Sequence, residues 1–202
     1  MSRTQRVNAA IRKVPSWLIY FACALLPLWY FYLALTGGLG VEPINGLELA
    51  LGDLAMKALV LVLAITPFRK WTGLNLVPHR RAIGVIAFFY VLCHLLTWAV
   101  LDVQSPARMW ADIVKRPYIT IGMAAFVLLL PVAITSNNLS IRRLGPMRWR
   151  RLHMLTYVIC ALGAVHYVMV QKVWEIEPLV YLAIVLGLLA TRIPSIRREF
   201  AG

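Results

Sequence analysis

Residues 82–101 read AIGVIAFFYVLCHLLTWAVL, twenty residues with no formally charged side chain and with His94 in their midst. A helix rising 1.5 Å per residue makes this run about 30 Å long, the thickness of a hydrocarbon core. An imidazole at such a depth is costly, needs a stabilising partner, and marks a functional site. The pattern recurs in residues 152–170, LHMLTYVICALGAVHYVMV, where His153 and His166 stand thirteen residues apart. That spacing corresponds to about 20 Å along one helix and puts an imidazole near each membrane face.

Four further apolar runs, 16–35, 49–67, 118–135 and 178–193, bring the expected spans to six. The second carries Asp53 and Lys57, four residues apart and able to pair on one helix face near the interface. Pro27 and Pro131 fall inside spans, where a membrane helix tolerates them as kinks. The first run carries Trp29, Tyr30, Phe31 and Tyr32 near one end. Such an aromatic belt predicts a permanent anchor rather than a cleaved leader.

The rest of the composition agrees. The 202 residues are 61% hydrophobic, with a mean hydropathy of +0.75. The expectation is an all-α membrane bundle of six helices, residues 1–202 forming one domain. The net charge of +13 is concentrated in short segments between apolar runs, so it sets orientation and is not a nucleic-acid footprint. Sixteen of the 21 Lys and Arg fall on one side, in segments around Arg3–Lys13, Arg69–Arg81, Arg142–Arg151 and Arg192–Arg198. Seven of the eight acids fall on the other. This bias puts both termini in the cytoplasm. Cys23, Cys93 and Cys160 lie within spans without metal-type spacing, and no Cys-x-x-Cys-His run exists for covalent heme attachment. Gly37-Gly38-Leu39-Gly40 follows a membrane helix, not a strand, so it reads as a flexible outer loop and not a dinucleotide fingerprint.

In this topology His94 and His166 lie at similar depth near the outer face, on different helices. Two axial imidazoles on one non-covalent b-type heme, suited to electron transfer, are the expectation. His153 lies at the inner edge without an obvious partner. Arg80, fourteen residues before His94, shares its helix face; an arginine is a poor iron ligand but can clamp a heme propionate or a flavin phosphate. The expected heme count is therefore one or two. His79, next to Pro78 at the helix entry, reads as a solvated loop residue.

Several stretches carry a family resemblance in their order and spacing. They are Gly37–Gly40 with Pro43, Ile65-Thr66-Pro67, Arg80-Arg81 before Gly84, and Leu92-Cys93-His94-Leu95. Further along come Arg116-Pro117-Tyr118-Ile119-Thr120-Ile121-Gly122, Arg143-Leu144-Gly145, Trp149 with Leu152-His153, and His166-Tyr167. Over essentially its whole length the chain resembles the MsrQ family of the ferric-reductase-like transmembrane group. The resemblance implies a bacterial inner-membrane subunit that passes electrons to a periplasmic molybdopterin-dependent methionine sulfoxide reductase, which repairs oxidised proteins. The quinone pool or a cytoplasmic flavin reductase would be the donor, and FMN an associated cofactor. His94, His153 and His166 carry over as heme-ligand candidates. The wider group has two histidines on each of two helices, and here Arg80 stands where the fourth would be. No substrate-converting site is expected on this chain. The rival readings are a stand-alone metalloreductase or quinol-oxidising cytochrome b, and a metal or proton transporter built on the same histidines.

Overall fold

A computed structural model describes residues 2–171 and 175–193. The regular structure of these residues is helical throughout. Ten α-helices follow in order: α1 Arg3–Lys13, α2 Ser16–Leu35, α3 Pro43–Thr72, α4 Arg80–Leu96, α5 Pro106–Lys115, α6 Pro117–Ile134, α7 Asn138–Leu144, α8 Pro146–His153, α9 Leu155–Val170 and α10 Ile176–Ala190. Proline opens α3, α5, α6 and α8, where its missing N–H leaves no helical bond unmade.

Among the described residues, five helical runs are long and apolar enough to cross a membrane: Ser16–Leu35, Pro43–Thr72, Val77–Val103, Pro117–Ile134 and Pro146–Val170. Each covers an expected span. The second begins six residues earlier than its apolar run, because Pro43 starts the helix, and its 30 residues reach about 45 Å. The expected pair on it forms, with Lys57 Nζ 2.5 Å from Asp53 Oδ2. The sixth apolar run forms α10, whose 15 residues pack on α9 and α3.

The bundle is organised by two close pairs, α3 with α4 and α6 with α9, and α3 also touches α9 and α10. Ala55, Ala58, Ala87 and Ala164 are buried where these helices meet, together with Leu63, Ile159, Cys160 and Val185. Small residues let membrane helices approach closely enough for van der Waals attraction to hold them. α2 lies at the side against α3 and α4, tied to α4 by Tyr90, whose hydroxyl donates to Cys23 O at 2.8 Å. Its other faces expose Phe21, Leu25, Leu28, Trp29 and Phe31, as a lipid-facing helix does.

At one end of the bundle the basic segments come together. Asn8 on α1 donates from Nδ2 to Gly73 O at 3.0 Å and accepts from Asn75 N at 2.8 Å. Arg81 Nη1 donates to Asn138 Oδ1 at 2.7 Å, which brings the start of α7 to the start of α4. His79 corrects its expected place. It is buried, not solvated, with Nε2 2.8 Å from Ile11 O, because α1 folds back over the loop between α3 and α4.

Between the third and fourth apolar runs, α5 packs Met109 and Ile113 against Trp98, Val103 and Ile119. His153 and His166 lie on one helical run, Pro146–Val170, which is locally distorted at Met154 where α8 gives way to α9. Residues 37–40 form a turn, with Gly37 and Gly40 at positive φ.

Candidate functional site

The helices α3, α4, α6 and α9 enclose a cavity of about 360 Å³, within the size range of small-molecule and cofactor sites. Its walls are mostly apolar: Met56 and Leu59 from α3, Phe126 and Leu129 from α6, Ile159 and Gly163 from α9. Past the end of α4 the chain widens into a π-helical segment, Thr97–Val103, which adds Trp98 and Asp102 to the lining. Such segments recur at functional sites because they re-aim side chains without ending the helix.

His94 and His166 both line this cavity. Their ring centres are 6.2 Å apart with planes at 73°. His94 Nδ1 lies 2.9 Å from Glu48 O on α3, and His166 Nδ1 lies 2.7 Å from Tyr118 O on α6. A carbonyl oxygen only accepts, so each Nδ1 carries the proton and donates. The tautomer follows, leaving each Nε2 with a lone pair and available as a ligand. Two membrane-embedded neutral imidazoles from different helices, each oriented by a backbone carbonyl, can take opposite sides of one metal centre.

The polar part of the lining is Asn45, Glu48, Asp53, Asp102 and Arg116. Arg116 donates from Nη1 to the Tyr118 hydroxyl at 3.3 Å, and its Nε lies 3.3 Å from Asp112 Oδ1. These two partners hold the guanidinium charge in place and raise its pKa.

The other two expected site residues stand apart from this cavity. His153 stacks on Trp149 with ring centres 3.9 Å apart, and its Nε2 lies 3.0 Å from Thr135 Oγ1. Trp149 Nε1 in turn donates to Thr135 O at 2.8 Å. Arg80 is half-buried at the start of α4, at the basic end of the bundle. No histidine faces His153 as His166 faces His94. Sequence reasoning missed Arg116 and the two carbonyls behind the histidines. The first was visible within the Arg116-Pro117-Tyr118 stretch; a carbonyl carries no mark in a sequence.

The architecture and the pair define a multi-pass membrane protein with two histidines facing one internal cavity. Comparison with known proteins narrows the class. The family model described as "Ferric reductase like transmembrane component" matches residues 20–164. The chain is 47% identical over 178 residues to the "Protein-methionine-sulfoxide reductase heme-binding subunit MsrQ" of Brucella ovis, covering 88% of this chain and 80% of that protein. The proteins of the same name from Brucella canis and Brucella abortus match with the same identity and coverage. No solved structure matches it. The chain belongs to the MsrQ family, within the ferric-reductase-like transmembrane group.

Proposed function

We propose that the chain is a b-type heme electron-transfer subunit, with His94 and His166 as the axial ligands of one heme. The observation that carries this reading is the spacing of the pair. A metal–imidazole bond of about 2.0–2.1 Å, with about 1.1 Å from nitrogen to ring centre, sets two axial rings about 6.3 Å apart; the observed separation is 6.2 Å. The donor set supports a macrocycle. Among the described residues no group of three or more His, Cys, Asp or Glu is gathered for a metal, and two imidazoles leave the equatorial positions to a tetradentate ring. The relatives' name as heme-binding subunits agrees.

Heme, when bound, supplies one-electron redox chemistry. The chain's own residues do the rest. Glu48 O and Tyr118 O hold the imidazole protons on Nδ1, which orients both rings and raises the basicity of each Nε2. Met56, Leu59, Phe126 and Ile159 exclude water from the cavity. Arg116 on the cavity lining offers a fork for the carboxylates of the ring. No catalytic residue is assigned.

The chain is read as one domain of six spans in the bacterial inner membrane, both termini cytoplasmic, with α10 as the sixth. The gathering of α1, the loop 73–79 and α7 at one basic end supports this orientation. Electrons would enter there, from the quinone pool or a cytoplasmic flavin reductase, with FMN as a further cofactor. Arg80 and His153 would face that donor. Electrons would leave at the opposite end toward a periplasmic molybdopterin-dependent methionine sulfoxide reductase; the relatives are named as the heme-binding subunit of a protein-methionine-sulfoxide reductase.

The test is the absorbance spectrum of the purified protein, oxidised and reduced, with heme counted per chain. Low-spin b-type bands at one heme per chain support the reading; a colourless protein from heme-replete cells refutes it and favours a transporter. Reduction of methionine sulfoxide only when the molybdoenzyme is added separates a dedicated subunit from a stand-alone metalloreductase. His153→Ala is expected to keep the full heme content, because Thr135 and Trp149 already engage that imidazole. A fall by about half on heme quantification would assign a second heme to His153.

A further inference from the structure

The two histidines are cradled by the same local device. His94 donates to the carbonyl of Glu48, and Gly52 stands four residues further along α3. His166 donates to the carbonyl of Tyr118, and Gly122 stands four residues further along α6. In an α-helix the carbonyl of residue i points along the axis toward residue i+4. A side chain arriving from a neighbouring helix to reach that oxygen must pass close over residue i+4.

The distances show how close. A methyl group on Gly122 would lie 2.9 Å from both Cε1 and Nδ1 of His166. On Gly52 it would lie 3.2 Å from the same two atoms of His94. The obstructed group in each case is a rigid ring pinned by its own hydrogen bond, not the loose end of a flexible chain. Gly46 near the start of α3 is also crowded, but by the backbone and Cβ of Leu39 in the preceding turn and not by a ring from another helix. Gly84 and Gly187 have nothing within 4 Å of the added position, and Gly163 would meet Leu59 Cδ1 at an ordinary 3.6 Å. A glycine inside a helix costs backbone entropy relative to alanine, and its occurrence beneath both imidazoles calls for a reason.

We infer that Gly52 and Gly122 are positioning residues for the histidine pair, each admitting an imidazole onto the helix backbone so that Nδ1 reaches the carbonyl four residues earlier. The pattern is a carbonyl at i with glycine at i+4, used once on each side of the cavity. A Cβ at either position lifts the ring off its carbonyl, which loosens both the tautomer and the direction of Nε2. The consequence for metal affinity rests on the heme reading proposed above.

The experiment compares full-length Gly52→Ala and Gly122→Ala with wild type and with Gly187→Ala as the control. Heme per chain, the low-spin electron paramagnetic resonance signal of the oxidised protein, and the midpoint potential are measured. Loss of the partner behind a metal-bound histidine lowers affinity about 10–100-fold. Gly122→Ala is expected to fall in that range, with Gly52→Ala milder but showing a shifted low-spin signal, and Gly187→Ala unchanged. Wild-type heme content, signal and potential in both variants overturn the inference while leaving the heme reading intact. A wild-type chain that takes up no heme sinks both. If Gly122→Ala is not recovered as a monodisperse protein, Gly52→Ala decides the question by the same three readouts.

Discussion

Purified His166→Ala protein is expected to retain less than about a tenth of the wild-type heme, and His94→Ala the same. Losing only the hydrogen-bond partner behind a ligand costs about 10–100-fold in affinity, so losing the ligand itself costs more. The two changes should not add. Once one imidazole is gone the six-coordinate low-spin centre is already lost, and residues that act as a unit are strongly non-additive. The double variant should therefore bind about as little heme as either single one. The measurement is heme per chain by reduced-minus-oxidised absorbance after one purification protocol for all variants. Low-spin bands surviving in either single variant at wild-type stoichiometry would remove that histidine from the ligand pair. Folding is not expected to suffer, because both side chains face the cavity and lie outside the buried apolar cluster of the bundle.

The second large effect concerns the cavity itself. Ala125 on α6 is buried and lines the cavity wall. Ala125→Phe would extend a ring into the 360 Å³ that the proposed cofactor must fill. Overpacking a well-filled core costs about 1–3 kcal/mol, but here the added volume enters a void, so the cost to the fold falls at the low end. The expected result is a folded, nearly heme-free protein in which both histidines are intact. This variant separates two chemistries that ligand deletions cannot. A heme needs the room, whereas a bare metal ion or a proton relay needs only the imidazoles. Ala125→Phe with full heme content would move the heme out of this cavity. Loss of heme with unchanged divalent-metal binding would show that the cavity, and not only the nitrogen pair, selects the ligand.

Much of the architecture was legible along the chain because a hydrocarbon solvent leaves few options. A run such as 82–101 must close its backbone hydrogen bonds within itself, and a helix of that length does so. The pairing of His94 with His166 was legible for a related reason. Alternating spans with basic residues at one end set a depth for each side chain, and two histidines came out level. His79 shows where this logic stops. Its neighbours Pro78 and Arg80 suggest exposure, yet α1 returns from 68 residues away to cover it. The local distortion at Met154 was not legible either, since nothing in residues 152–155 interrupts apolarity enough to announce it.

The sequence by itself determined that this is a polytopic helical membrane protein, how its basic residues are distributed, and which two histidines stand at one level. Each is a property of residues read one at a time against a fixed solvent. Only the packed helices reveal what holds those histidines and what lines the space beside them. The anchoring groups are the carbonyls of Glu48 and Tyr118, and a backbone oxygen is the same in every residue. The space beside them depends on Gly52 and Gly122, whose role lies in a side chain they lack. Arg116, and not Arg80, reaches the cavity because α5 and the turn into α6 bring it there. Contacts between helices distant along the chain made those choices.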